Sequence, residues 1–192
     1  MKKEILVFIF DGYADWECAY ICSELNKLED KYVVKTIGVD REPKKSMGGF
    51  TVIPDYSIDE CPSDFEMILL IGGEAWEQKK NNSIKSIVDY AMKKNILVAA
   101  ICGATIFLGE EGYLDEVKHT SNTLDYLKAY APSYRGTKNY IERQAVNDRN
   151  IITANGTATL ELAREIMIYL DAKPKKMINE WYEFNKKGFL LE

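Results

Sequence analysis

The segment Ala99-Ala100-Ile101-Cys102-Gly103-Ala104-Thr105 places a thiol where a buried apolar run meets the start of a helix. A nucleophile at such a joint stands on a sharp turn, so the residues two before and two after it must be small. Here they are Ala100 and Ala104. Gly103 lets the backbone approach a ligand closely. The positive end of the helix dipole faces the thiol, which favours thiolate by about 0.3–1 kcal/mol, or ~2 when partly buried. Since one pKa unit is about 1.4 kcal/mol, a lowered pKa at Cys102 is the expectation. The bland alternative is a buried, inert cysteine.

Gly72-Gly73 follows another strand-like run and shares the same sheet edge. Such a pair presents backbone N–H groups to an oxyanion, or simply makes a tight turn. Asp15 and Glu17, in Asp11 to Glu17 (DGYADWE), stand after the first strand. A carboxyl there could exchange a proton with the thiol, or only complement a helix dipole. With Glu17 close to Cys102, like-charge repulsion makes a neutral Glu17 that donates to the sulfur the consistent picture. His119 is the sole histidine, the natural base for a cysteine hydrolase or else a structural group. Cys18 and Cys22 lie four apart on an apolar helix stripe and read as small core residues rather than metal ligands. Cys61 shows no activating neighbour. Metal and cofactor are both expected to be absent. There is no Walker motif and no G-x-G-x-x-G.

The elements that position these residues alternate along the chain. Ile5 to Phe10, Tyr32 to Val39, Glu66 to Ile71 and Ile96 to Ile101 are apolar runs of the kind buried on both faces of a parallel sheet. Apolar residues at helical spacing predict helices over about 15–29, 84–94, 103–110, 160–170 and from Pro174 onward. Residues 124–130 predict a short helix closed by Pro132. Met47-Gly48-Gly49 predicts a small hairpin, and Tyr140-Ile141 and Ile151 to Thr153 predict late strands around an Asn147-Asp148 turn. This alternation specifies an α/β chain of flavodoxin-like build, a three-layer sandwich with a mostly parallel central sheet and helices on both faces. With no linker or repeat, residues 1–192 read as a single domain.

Composition narrows the partners. The chain has 192 residues, 46% hydrophobic and 29% charged, with a net charge of -5. That balance gives no electrostatic reason for nucleic acid or an anionic membrane. The lysines near the C-terminus are interleaved with apolar residues, as on a solvated helix face. No stretch approaches the ~18 apolar residues of a membrane span. The opening Met1-Lys2-Lys3-Glu4 leads straight into a strand, so a cytoplasmic location with reduced thiols is expected.

The same residues resemble the ThiJ/PfpI superfamily, which has the class I glutamine amidotransferase-like fold. The resemblance spans nearly the whole chain. It rests on Asp11-Gly12 with Glu17, on Ile71-Gly72-Gly73, on Ala100-Ile101-Cys102-Gly103-Ala104, and on Ile152 to Thr157 with Glu161. It implies that Cys102 is the reactive cysteine, Glu17 the carboxylate beside it, and Gly73 and Gly103 the oxyanion donors. It also implies a homodimer. Two departures stand out. The family's peptidases carry a histidine directly after the cysteine, where this chain has Gly103. Several relatives carry a histidine in the strand after the elbow helix, where this chain has Asn122, with His119 three residues earlier. His119 is therefore expected to lie out of reach of Cys102. The resemblance points to a protease/amidase-like hydrolase or a glyoxalase- or deglycase-like enzyme, acting through Cys102 on a carbonyl of a small molecule or peptide. The rival readings are a non-enzymatic redox-sensing or chaperone-like protein that oxidises Cys102, and a small-molecule binding module.

Overall fold

The side chains of Ile5–Phe8, Met67–Leu70 and Leu97–Ile101 are all buried, and these runs form the centre of a sheet covered on both faces. Each large apolar side chain so buried stabilises the fold by roughly 1.5–3 kcal/mol. The structure is a computed structural model that describes residues 2–189. The elements in chain order are β1 (Lys3–Phe8), a 3-10 turn (Asp15–Glu17), α1 (Ala19–Asn26), β2 (Tyr32–Gly38), β3 (Lys44–Lys45), β4 (Thr51–Val52), β5 (Tyr56–Ser57), β6 (Met67–Leu70), α2 (Lys85–Lys93), β7 (Leu97–Ile101), α3 (Ala104–Glu110), α4 (Leu124–Tyr130), β8 (Ala145–Asp148), β9 (Ile151–Ala154), α5 (Thr159–Tyr169) and α6 (Lys175–Lys187).

The main sheet has the order β5-β2-β1-β6-β7-β9-β8. Its pairings are parallel except between β8 and β9. The crossover from β1 through α1 to β2 moves one way along the sheet, and that from β6 through α2 to β7 moves the other way. Right-handed crossovers in opposite directions put their helices on opposite faces. Accordingly α1, α5 and α6 pack together, while α2 packs on β6 and β7, and α3 packs on β7 and α4. The order reverses between β1 and β6, which opens a crevice at the carboxyl ends of those strands. Glu17, Gly72-Gly73 and Cys102 all lie just beyond carboxyl ends at or beside this crevice.

Several local expectations change. The first helix does not run over 15–29. A 3-10 turn ends at Glu17, whose carboxyl is drawn to the end of β6, and α1 starts only at Ala19. Tyr140-Ile141 is not a strand. It meets His119 at one isolated bridge, and the polar residues that follow give it no apolar face to extend. Asn147 and Asp148 belong to β8, and the turn lies one step later, where Arg149 takes a φ of 53°. The two-residue edge strand β5 carries no apolar run and was not legible.

Candidate active site

The sheet holds the chain up to the elbow and then releases it. Ile101 pairs with Ala154, and the Cys102 N–H donates to the Ala154 carbonyl at 3.0 Å. At Cys102 the backbone turns left-handed, with φ 58°. That conformation costs a non-glycine residue roughly 1–2 kcal/mol. The turn is held from below. Thr105 Oγ1 donates to the Cys102 carbonyl at 2.7 Å, so Ser121 Oγ, also 2.7 Å away, is left to donate to Thr105. Ala100 and Ala104 are fully buried, consistent with the small residues the turn needs.

Glu17 is buried and reaches the same place from the other side of the crevice. Its Oε2 accepts the Gly72 N–H at 2.6 Å, and its carboxyl stands beside the Cys102 thiol, close enough to shift its titration. Gly72 is the spacer between them. A methyl group there would stand 2.7 Å from Cys102 Cβ and 2.8 Å from Glu17 Oε2, so only glycine lets the thiol and carboxyl meet. On the far side, Asn122 Nδ2 lies 3.5 Å from Cys102 Sγ, and its Oδ1 accepts the Gly156 N–H at 2.8 Å. A methyl on Gly156 would come within 2.9 Å of the sulfur. Gly103 and Gly73 are in contact: a methyl on Gly103 would stand 3.0 Å from the Gly73 carbonyl oxygen.

The titration of the pair follows from this packing. Burial pushes Glu17 up to about 7, against the opposing pull of the Gly72 N–H. Burial also pushes the Cys102 thiol up, and the Glu17 charge adds to it, outweighing donation from Asn122 and the Gly103 N–H. This corrects the expectation of a lowered Cys102 pKa from the helix dipole: desolvation dominates. When Glu17 is protonated, its charge no longer opposes the thiolate. Among the other cysteines, the Cys18 thiol is lowered by a hydrogen bond from Cys22, and burial pushes Cys61 up to about 11.

Two acid–base candidates are engaged elsewhere. His119 is fully buried, with Nδ1 2.7 Å from the Val117 carbonyl and Nε2 2.6 Å from the Tyr134 hydroxyl. A carbonyl only accepts, so Nδ1 carries the proton and Nε2 accepts from Tyr134. Burial lowers its pKa, and no hydrogen bond joins it to Cys102. Asp15 is turned away from the sulfur, where its Oδ1 accepts the Gly48 N–H at 2.8 Å and anchors the β3–β4 hairpin. Among the described residues, no group of histidine, cysteine and carboxylate side chains could hold a metal, and no helix is long and apolar enough to cross a membrane. Reading the sequence missed the buttressing roles of Ser121, Thr105 and Gly156. Asn155-Gly156-Thr157 after a late strand was the available signal for Gly156. The hydroxyl pair left none, because it joins segments 16 residues apart.

An open α/β sheet with a strained cysteine at a strand-to-helix elbow, facing a buried carboxyl across the switch point, defines a class of cysteine-elbow proteins. Within that class the chain belongs to the DJ-1/PfpI family, whose model matches residues 3–168. It is 38% identical over 191 residues to "Uncharacterized protease YoaZ" of Bacillus subtilis (strain 168), covering 96% of this chain and 91% of that protein. It is also 38% identical over 187 residues to "Uncharacterized protease YdeA" of the same organism, covering 97% and 93%. The crystal structure of a thiJ/pfpI family protein from Bacillus anthracis superposes with a TM-score of 0.93 at 37% identity, covering 98% of this chain and 92% of that one.

Proposed function

We propose that this protein is a cysteine-dependent enzyme of the glyoxalase- or deglycase-like kind, acting on small reactive carbonyls such as 2-oxoaldehydes. The observation that carries this reading is the Cys102–Glu17 pair, with Asn122 rather than a histidine on the other side of the sulfur. Hydrolysis of an amide needs a proton delivered to a leaving nitrogen. An aldehyde has no leaving group, so a thiol and one carboxyl that titrates near 7 suffice. Glu17 takes the thiol proton. The sulfur bonds to the aldehyde carbon, and the carbonyl electron pair moves to oxygen, held by the N–H groups of Gly73 and Gly103. Glu17 returns the proton and the hemithioacetal forms. A proton shift from this carbon to its neighbour, carried by Glu17, gives the thioester of a 2-hydroxy acid, and water releases the acid and the thiol. The relatives named as proteases support the broader protease/amidase-like alternative. The test is incubation of purified protein with methylglyoxal and quantification of the 2-hydroxy acid. Cys102→Ser is expected to lower the rate by roughly 10³-fold or more. A native rate no higher than that of the variant would refute this reading.

The same donors favour a second reading. The Asn122 amide, the Gly103 N–H and a protonated Glu17 surround a half-exposed sulfur and would hold the oxygens of a sulfinate. Two equivalents of peroxide would convert the thiolate to sulfinate and yield two of water. Intact mass after mild peroxide treatment tests it: a gain of two oxygens confined to Cys102 supports a redox role, and oxidation elsewhere opposes it.

A further inference from the structure

Two banks of the molecule face each other beside Cys102. One is the segment after β6, which carries Gly73 and then Trp76 and Glu77. The other is the start of α4, which follows Asn122. Each bank is pinned on its own side. Trp76 Nε1 donates to the Ile71 carbonyl at 2.7 Å in a fully buried bond, and its indole lies over Gly103. On the opposite bank, Thr123 caps α4 by accepting the Tyr126 N–H at 3.0 Å, and Asn122 is tied to Gly156. Among the described residues, one side-chain bond joins the banks: Tyr126 Oη donates to Glu77 Oε1 at 2.9 Å. An open cleft of about 500 Å³ lies against the chain neighbours of each partner. One is lined by Gly12, Glu74, Ala75 and Gln78 and the other by Asn122, Thr123, Asp125 and Tyr140.

We infer that this Tyr126–Glu77 bond is a clasp across the mouth of the Cys102 site, and that Tyr126 thereby limits the size of the electrophile reaching the sulfur. The inference rests on the reading of Cys102 as the reactive group. Tyr126 and Glu77 are both half-buried, and a half-buried phenol held by a carboxylate is a charge-assisted bond. Burial, then the Glu77 bond, then the nearby Cys102 charge push the Tyr126 pKa up, so it stays a donor throughout the physiological range. The clasp is one bond between two rigid supports. Breaking it therefore widens the mouth without disturbing the sulfur's own partners, Glu17 and Asn122. Small aldehydes pass in either state. Bulky ones need the open state.

The test measures alkylation of Cys102 in the native protein with two reagents, iodoacetamide and a fluorescein-bearing iodoacetamide, in Tyr126→Phe and Glu77→Ala. Both variants are expected to raise the rate with the bulky reagent roughly fivefold, as when one hydrogen bond favouring a closed state is lost, and to change the iodoacetamide rate less than about twofold. An unchanged ratio of the two rates, or a change in only one of the variants, overturns the clasp. A purely structural role would move both rates together. Turnover of phenylglyoxal relative to methylglyoxal should rise in parallel, through KM. If neither aldehyde is turned over by the native protein, the proposed enzymatic reading fails while the alkylation ratios still decide the clasp.

Discussion

Two strand-to-helix joints on the same sheet edge carry cysteines, and they treat them differently. At the joint after β7 the backbone goes left-handed at Cys102, and its sulfur meets partners from three separate segments. At the joint after β1 the chain makes a 3-10 turn, and Cys18 enters α1 with an ordinary φ of -99°. There the thiols of Cys18 and Cys22 turn to each other and to the packing beneath the helix. The pKa directions run against simple intuition: Cys18 is lowered and Cys102 raised. Backbone conformation, not acidity alone, singles out Cys102. A strained joint projects its side chain into the crevice, and a relaxed one lays it against the core.

The sharpest way to break this contrast is limited iodoacetamide labelling of the native protein, read by peptide mass. Cys102 is expected to react first at neutral pH despite its raised pKa, because its sulfur faces the crevice. Earlier labelling of Cys18 would show that acidity outweighs access. The next effect is a pH dependence of stability. Glu17 is raised from near 4.5 to about 7, so its contribution is fully present below 4.5 and is lost as pH rises through about 7. At about 1.4 kcal/mol per pH unit, the loss is ~3 kcal/mol. Urea unfolding of Glu17→Gln should lack this decline, and parallel curves for variant and native protein would contradict the buried carboxyl.

Asn122→Ala removes a donor to the sulfur and the acceptor of the Gly156 N–H together. It should lower stability by about 1–3 kcal/mol in thermal unfolding. It should also move the pH midpoint of Cys102 alkylation upward while leaving Cys18 unchanged. An equal shift at both cysteines would point to a general loosening. The smallest effect belongs to Asp15→Asn, which keeps an acceptor for the Gly48 N–H. It should alter stability by less than about 0.5 kcal/mol and leave Cys102 alkylation alone, in contrast to Glu17 two residues later. A large change in Cys102 reactivity would place Asp15 in the site after all.

Local pattern by itself determined the central sheet-forming runs, the elbow at Cys102 and the existence of the main helices. Ile5 to Phe8 and Leu97 to Ile101 are apolar without interruption, and a sharp turn between small residues is written in Ala100 and Ala104. Those signals depend only on neighbours along the chain. The tertiary structure decided what surrounds the sulfur, because each partner arrives from a distant segment. Glu17 and Asp15 are indistinguishable as residue types at a helix start. The resemblance pointed to Glu17, and the approach of Gly72, 55 residues on, is what holds its carboxyl beside Cys102. The resemblance put Asn122 rather than His119 beside the thiol, but only the fold shows why: Tyr134 and Val117 take both nitrogens of the His119 ring, and Gly156 orients the Asn122 amide. The direction of the Cys102 pKa also needed the fold. A helix dipole is legible from a strand-helix joint, but desolvation depends on everything packed above it, and here desolvation is the larger effect.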